Sequence, residues 1–278
     1  MDLDVYDIKD GILDLSKDAI YAIEDKQFLG NKQIRSVILP ATTEHVGNWA
    51  FAKCSNLEKV TFCGTFCPGL FGRNVFAGCE DLGYIRFADT DDATARLAAL
   101  CANSLDCDHL IRADDIGQKS WYEKWDISLV SLLNGDDEKN AIAAALCGEE
   151  DISYDGIGSV DGELPGESPD FVTKKAYEKC MLCYVRLECD RYISDETRSV
   201  INEHIMKNRL GYGNGSSFYS IFALGGSDLS YLERYISITG PDREEISEMI
   251  SALSPRDVYA MSYLIERSNA LSGDELML

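Results

Sequence analysis

The sequence predicts an α+β chain: a short solenoid built on a parallel β-sheet, followed by an all-α domain. Three observations predict it. One segment repeats itself at a spacing in the twenties, the apolar spacing turns helical near residue 118, and an acidic stretch with Gly, Ser and Pro interrupts the second half. The composition permits two such domains. Of the 278 residues, 45% are apolar and 10% aromatic, enough to build cores despite 48 acidic against 26 basic side chains. The expected division is a repeat domain over 1–117 with its caps and a helical domain over 118–278.

The repeat is legible residue by residue. Ala50-Phe51-Ala52-Lys53-Cys54-Ser55-Asn56-Leu57-Glu58-Lys59-Val60-Thr61-Phe62 aligns with residues 75–87 at a constant offset of 25. Phe51, Cys54, Leu57, Val60 and Phe62 thereby meet Phe76, Cys79, Leu82, Ile85 and Phe87. A weaker copy precedes them at offset 23, with Ile23, Phe28, Ile34, Val37 and Leu39 in the places of Val46, Phe51, Leu57, Val60 and Phe62. The Leu-x-x-Val-x-Phe strand signature at this period is that of a leucine-rich repeat. Phe51 and Phe76 are expected in short helical turns facing the core, and Cys54 and Cys79 at tight corners that take a small apolar side chain. The Leu, Val and Phe positions stack inward from coil to coil, because one coil cannot bury its own apolar face.

Preceded by Glu44-His45-Val46-Gly47-Asn48-Trp49, this A-F-A-x-C-x-x-L-x-x-V-x-F pattern closely resembles the BspA-type leucine-rich repeat family over residues 20–90. The resemblance implies a parallel β-sheet lining one face of a curved solenoid, and a role in protein–protein contact or surface adhesion. The chain departs from many members in its long non-repeat segment and in its first residues. Met1-Asp2-Leu3-Asp4 has neither the basic start nor the apolar stretch of an export signal, so a cytoplasmic location is expected. No apolar run reaches the roughly 18 residues that a membrane span needs.

Alternation along the strands sets the outer face of the sheet. With Leu57, Val60 and Phe62 inside, Glu58, Lys59 and Thr61 face out; their counterparts are Arg35, Ser36 and Ile38 in the earlier coil and Gly83, Tyr84 and Arg86 in the later one. Arg35, Lys59, Thr61, Tyr84 and Arg86 are therefore the candidate binding residues, since Arg and Tyr are enriched among interface hot spots. The plainer alternative is an ordinary solvated sheet face.

Residues 88–117 read as a cap over the last coil. A helix is expected to start between Asp89 and Asp92 and to carry Ala93, Leu97, Ala98, Leu100 and Cys101; His109-Leu110-Ile111-Arg112 is a candidate last strand. Beyond Gln118, Trp121, Trp125, Leu129, Leu132 and Leu133 form one helical stripe. A second helix is expected from Asp136 through Ile142, Ala145 and Leu146 to Gly148, a third over Phe171 to Cys189, and a fourth from Ser194 to Gly211. Shorter ones run over Phe218 to Leu224, Leu229 to Ile238, Asp242 to Leu253, and from Arg256 to about Ser268. Ser227-Asp228, Gly240-Pro241-Asp242 and Ser254-Pro255 supply the stops and caps. A row of antiparallel pairs, as in an α-solenoid, and a compact bundle both fit these lengths.

A search for chemistry finds little. The ten cysteines read as free thiols. Cys180-x-x-Cys183 shares one helix face rather than the turn of a structural zinc site, and Cys63 and Cys67 bracket a short loop. The acidic residues of 148–170 do not follow the calcium-loop spacing, so a solvated loop is expected there. Three histidines, His45, His109 and His204, leave few acid–base candidates, and Cys107-x-His109 is too close in sequence for the usual thiol–imidazole pair. Gly211-Tyr212-Gly213-Asn214-Gly215-Ser216-Ser217 follows a helix and lacks the lysine of a phosphate-binding loop. No catalytic set, metal site, cofactor or small-molecule ligand is implied.

The leading reading is a non-enzymatic module that binds a protein through the sheet face, the helical domain, or both. The alternatives are an acidic nucleic-acid mimic that inhibits a DNA-binding protein, and an enzyme of unrecognised type in the helical half. A net charge of −22 disfavours direct binding to nucleic acid or an anionic membrane. That charge is uneven: residues 26–88 hold seven basic against four acidic side chains, whereas 148–170 hold eight acidic and no basic ones. A partner with an acidic surface is therefore expected at the repeat.

Overall fold

The computed structural model describes residues 7–105, 107–135, 171–225, 229–253 and 257–274. The helix expected from Asp136, the acidic loop at 148–170, and the Ser227-Asp228 and Ser254-Pro255 stops lie outside them. The described chain falls into two compact units. The first runs to Leu132 and also takes in Val185–Ser194; the second takes in 171–184 and the chain from Asp195 onward.

The first unit opens with β1 (Ile8–Lys9) and β2 (Ile12–Asp14), an antiparallel pair, and continues through β3 (Ala22–Ile23), β4 (Ser36–Leu39), β5 (His45–Val46), β6 (Lys59–Phe62) and β7 (Tyr84–Arg86). Two sheets result. The larger has the order β1-β2-β4-β6-β7 and is parallel from β2 onward; the smaller pairs β3 with β5 in parallel. Its register places Val37, Val60 and Ile85 side by side, as the repeat alignment requires, and adds Leu13 one coil earlier. All four are buried, as are Leu39, Phe62 and Phe87.

Between the sheets each coil makes a tight turn, and the turns stack by backbone hydrogen bonds. Phe28 N–H donates to the Ala50 carbonyl at 2.8 Å and Phe51 N–H to the Val75 carbonyl at 3.0 Å. Phe28, Phe51 and Phe76 stack with ring centroids 5.1 and 6.0 Å apart, so each ring fills the space its neighbour leaves. The corner cysteines are part of the same ladder: the Cys54 thiol donates to the Phe28 carbonyl and Cys79 to the Phe51 carbonyl, both at 3.1 Å. Burial pushes both thiols up, Cys79 to about 12, so they stay protonated and inert. Gly47 is required by close approach, since a Cβ there would lie 2.5 Å from the backbone nitrogen of Asp25 in the coil before. The Asp25 carboxylate accepts from the backbone N–H of Asn48 at 2.6 Å and from its side chain, and these bonds hold it below the usual carboxylate range.

The last coil is covered by α1 (Asp92–Ala102), which packs on β7 and is capped by Asp91 accepting from Thr94 N–H at 2.8 Å. The expected strand at 109–112 is instead α2 (Asp108–Ile111). Leu110 and Ile111 are adjacent and both fully buried, which a strand open to solvent on one face does not allow and a helical turn does. Asp108 opens that turn and pairs with Arg112 at 3.2 Å, one turn on.

Then follows α3 (Lys119–Leu133), whose Trp121 and Trp125 are fully buried. Their indole N–H groups donate to the carbonyls of Leu110 at 3.0 Å and Leu97 at 3.2 Å, on the two cap helices. The next described helix is α4 (Phe171–Glu188). Arg186 in its last turn is fully buried and forms a bidentate pair with Asp126 of α3, the Nη2 to Oδ2 distance being 2.9 Å. The same guanidinium also donates to the carbonyls of Cys189 and Arg191, so every edge of the buried cation is occupied.

The described elements of the second unit are all helices: the earlier part of α4, α5 (Asp195–Lys207), α6 (Ser216–Gly225), α7 (Ser230–Thr239), α8 (Arg243–Ala252) and α9 (Val258–Asp274). Here α7 packs on both α5 and α6, and α8 on α9. Cys180 and Cys183 do share one buried face of α4, among groups that burial keeps protonated. The buried Tyr184 hydroxyl donates to the Ser217 carbonyl at 3.1 Å, and Phe218 packs on Tyr235 with centroids 5.6 Å apart. Gly240 ends α7 in the left-handed conformation, and Asp242 with Glu245 forms a reciprocal capping box on α8. The glycine-rich run leads from the loop after α5 into α6. Among the described residues, no helix is long and apolar enough to cross a membrane.

Candidate functional site

The exposed face of the larger sheet is built from two ladders. Ile12, Ser36, Lys59 and Tyr84 stand in register across β2, β4, β6 and β7, and Asp14, Ile38, Thr61 and Arg86 form the next row. Arg35 sits one residue before β4, where its carbonyl accepts from Glu58 N–H at 2.8 Å and Lys59 N–H at 3.2 Å. Arg35, Lys59, Tyr84 and Arg86 are exposed, and Thr61 is half-buried within the second row.

The charges on this face are not equivalent. Arg86 is paired with Asp92, the first residue of α1, at 3.0 Å. Arg35 and Lys59 have no ion-pair partner among the described residues; Glu58 precedes Lys59 in the chain, and Asp14 stands in the second row in register with Ile38. The Asp14 carboxylate accepts from Ser16, and that bonding holds it below its ordinary range, so it remains charged through mild acid. The Arg35 stem packs within 3.1–3.2 Å of where a Cβ on Gly11 would stand. Gly11 has φ +81°, so a side chain there would both strain the turn and push Arg35 aside.

Two residues of the face escaped the sequence reading. Ile12, at 43% exposure, flanks Ser36 as Tyr84 flanks Lys59, and Asp14 adds a fixed negative charge. The signal was present: Leu13-x-Leu15 precedes Val37-x-Leu39 by 24 residues, marking one more coil than the three aligned. The remaining candidates stand apart from this face. His45 is exposed on β5, His109 is exposed on α2, and His204 lies on α5 with its ring nitrogen 3.3 Å from the Asn208 amide.

Comparison with known proteins agrees with the coil geometry. The model of the BspA type leucine-rich repeat region matches residues 13–101, in six copies, and so begins at the Leu13 of the extra coil. No curated protein and no solved structure matches the chain. With parallel strands in register, stacked phenylalanines and cysteines at two successive corners, residues 13–101 of this chain are a BspA-type leucine-rich repeat region.

Proposed function

We propose that the protein is a non-enzymatic interaction module whose repeat sheet binds a partner protein with an acidic surface. The observation that carries this reading is the pair of cations Arg35 and Lys59, without an ion-pair partner among the described residues, on an ordered sheet beside exposed Tyr84 and Ile12. Parallel strands hold these side chains at fixed spacing, so little ordering cost falls on binding. Arg and Tyr anchors ringed by less critical contacts are the usual composition of an interface centre. Arg86 contributes less, because a partner must compete with Asp92 for it.

The test is charge reversal. Arg35→Glu, Lys59→Glu and Arg86→Glu together are expected to abolish capture of the partner while leaving the circular dichroism spectrum intact. Partner capture that survives all three changes would sink the sheet-face reading.

A further inference from the structure

The turn ridge, a different side of the coils from the sheet, carries one side chain that the repeat does not require. Trp49 has φ +52°, in the left-handed region, and the equivalent residues of the flanking coils are Lys26 at +59° and Asn74 at +52°. Asn tolerates this conformation; a bulky aromatic is strained in it. The residue is 40% exposed, whereas Trp121 and Trp125 are fully buried with their indole N–H groups bonded. The backbone of Trp49 opposes folding and two-fifths of the residue stays open to solvent, so its ring offers a surface outward.

Its surroundings define what would fit. The Lys26 ammonium lies 5.5 Å from the ring centroid and covers part of it, and Leu29, 45% exposed, closes the same turn as Lys26. Arg73 accepts the Trp49 N–H on its carbonyl at 3.0 Å, and Lys53 follows one turn on. Both are exposed and have no ion-pair partner among the described residues. Of the carboxylates beside this ridge, Asp25 is committed to Asn48, Asp108 accepts from Asn74 N–H and pairs with Arg112, and Glu24 is exposed without such a bond.

We infer that this ridge is a second docking surface, for an acidic segment of a partner protein that seats an aromatic or aliphatic side chain against Trp49 and Leu29. The cations Lys26, Lys53 and Arg73 select the charge, and the two exposed apolar side chains provide the anchor. The surface is separate from the sheet face, and either reading can fail without the other.

Trp49 supplies its own reporter, because the other two tryptophans are shielded from solvent. The intact chain is titrated with a synthetic peptide of glutamates interspersed with phenylalanine, and with a counterpart in which lysine replaces each glutamate. The acidic peptide is expected to shift Trp49 emission to the blue and protect it from iodide quenching; the basic one is not. Trp49→Asn is expected to keep its thermal midpoint, since Asn74 already holds that conformation, and to weaken peptide binding about tenfold or more as measured by labelled-peptide anisotropy. Lys53→Glu with Arg73→Glu is expected to weaken it as well. Unchanged iodide quenching, full binding by Trp49→Asn, or a lowered midpoint in that variant overturns the proposal; the last assigns the ring to coil stability. Loss of the Trp49 response in the Arg35→Glu, Lys59→Glu variant would merge the two surfaces into one and likewise overturn it.

Discussion

In the stacked coils, the surroundings of one residue can be read from its counterpart a coil away; in the helical unit, each buried group has surroundings of its own. Phe28, Phe51 and Phe76 share one stack, Cys54 and Cys79 share one corner bond, and Gly30, Lys53 and Gly78 share one left-handed position. Tyr184 donating to Ser217, or Tyr235 accepting from Leu210 N–H at 3.2 Å, has no such counterpart. The lesson concerns energetics. Coil stability is a sum of repeated neighbour contacts, so the effect of a change depends on how many neighbours the altered coil has. In the helical unit it depends on the one partner at that place.

The largest expected effect tests that rule directly. Phe51→Ala should cost about 3–5 kcal/mol, because it empties the middle of a stack, and Phe51→Ala with Phe76→Ala should cost less than the two single changes added, because they share one contact. All three tryptophans lie in the first unit, so urea unfolding followed by their fluorescence reads this difference. Strict additivity would show that the stack does not act through neighbours.

The next effect lies where the first unit stops being repetitive. Asp126→Ala strands the fully buried Arg186 guanidinium and should cost about 3 kcal/mol or more in the same assay. Exchanging both partners for apolar residues, Asp126→Leu with Arg186→Met, should recover most of the loss. Failure to recover would mean that the carbonyls of Cys189 and Arg191, rather than the ion pair, need the guanidinium.

The smallest effect is a gain. Lys53 holds φ +60° where the neighbouring coils have Gly30 and Gly78, so Lys53→Gly should stabilise by up to about 1 kcal/mol. A thermal midpoint that falls would show that the lysine stem packs on the ridge more than its backbone strains it.

Much of the coil architecture could be read from one chain, because a repeat states each constraint several times. The inward positions Val60 and Phe62, the corner at Cys54 and the outward set Arg35, Lys59, Thr61, Tyr84 and Arg86 follow from offsets of 23 and 25 alone. Ile12 was missed because its coil lacks the turn signature, and the strand expected at 109–112 failed because two adjacent apolar residues suit a buried helical turn as well as a strand. The helices of the second half declared themselves by period and caps, as Gly240 and Asp242 illustrate.

The sequence by itself determined the coil, its register and the residues on each face, because these depend on local periodicity that recurs. The fold in three dimensions decided that Arg86 is paired while Arg35 and Lys59 have no ion-pair partner among the described residues, that α3 groups with the repeats and holds Arg186 through Asp126, and that Trp49 stands strained and exposed while Trp121 and Trp125 are sealed. The physical reason is the same in each case. Pairing and burial depend on side chains brought together from distant parts of the chain, and no local period records which of them will meet.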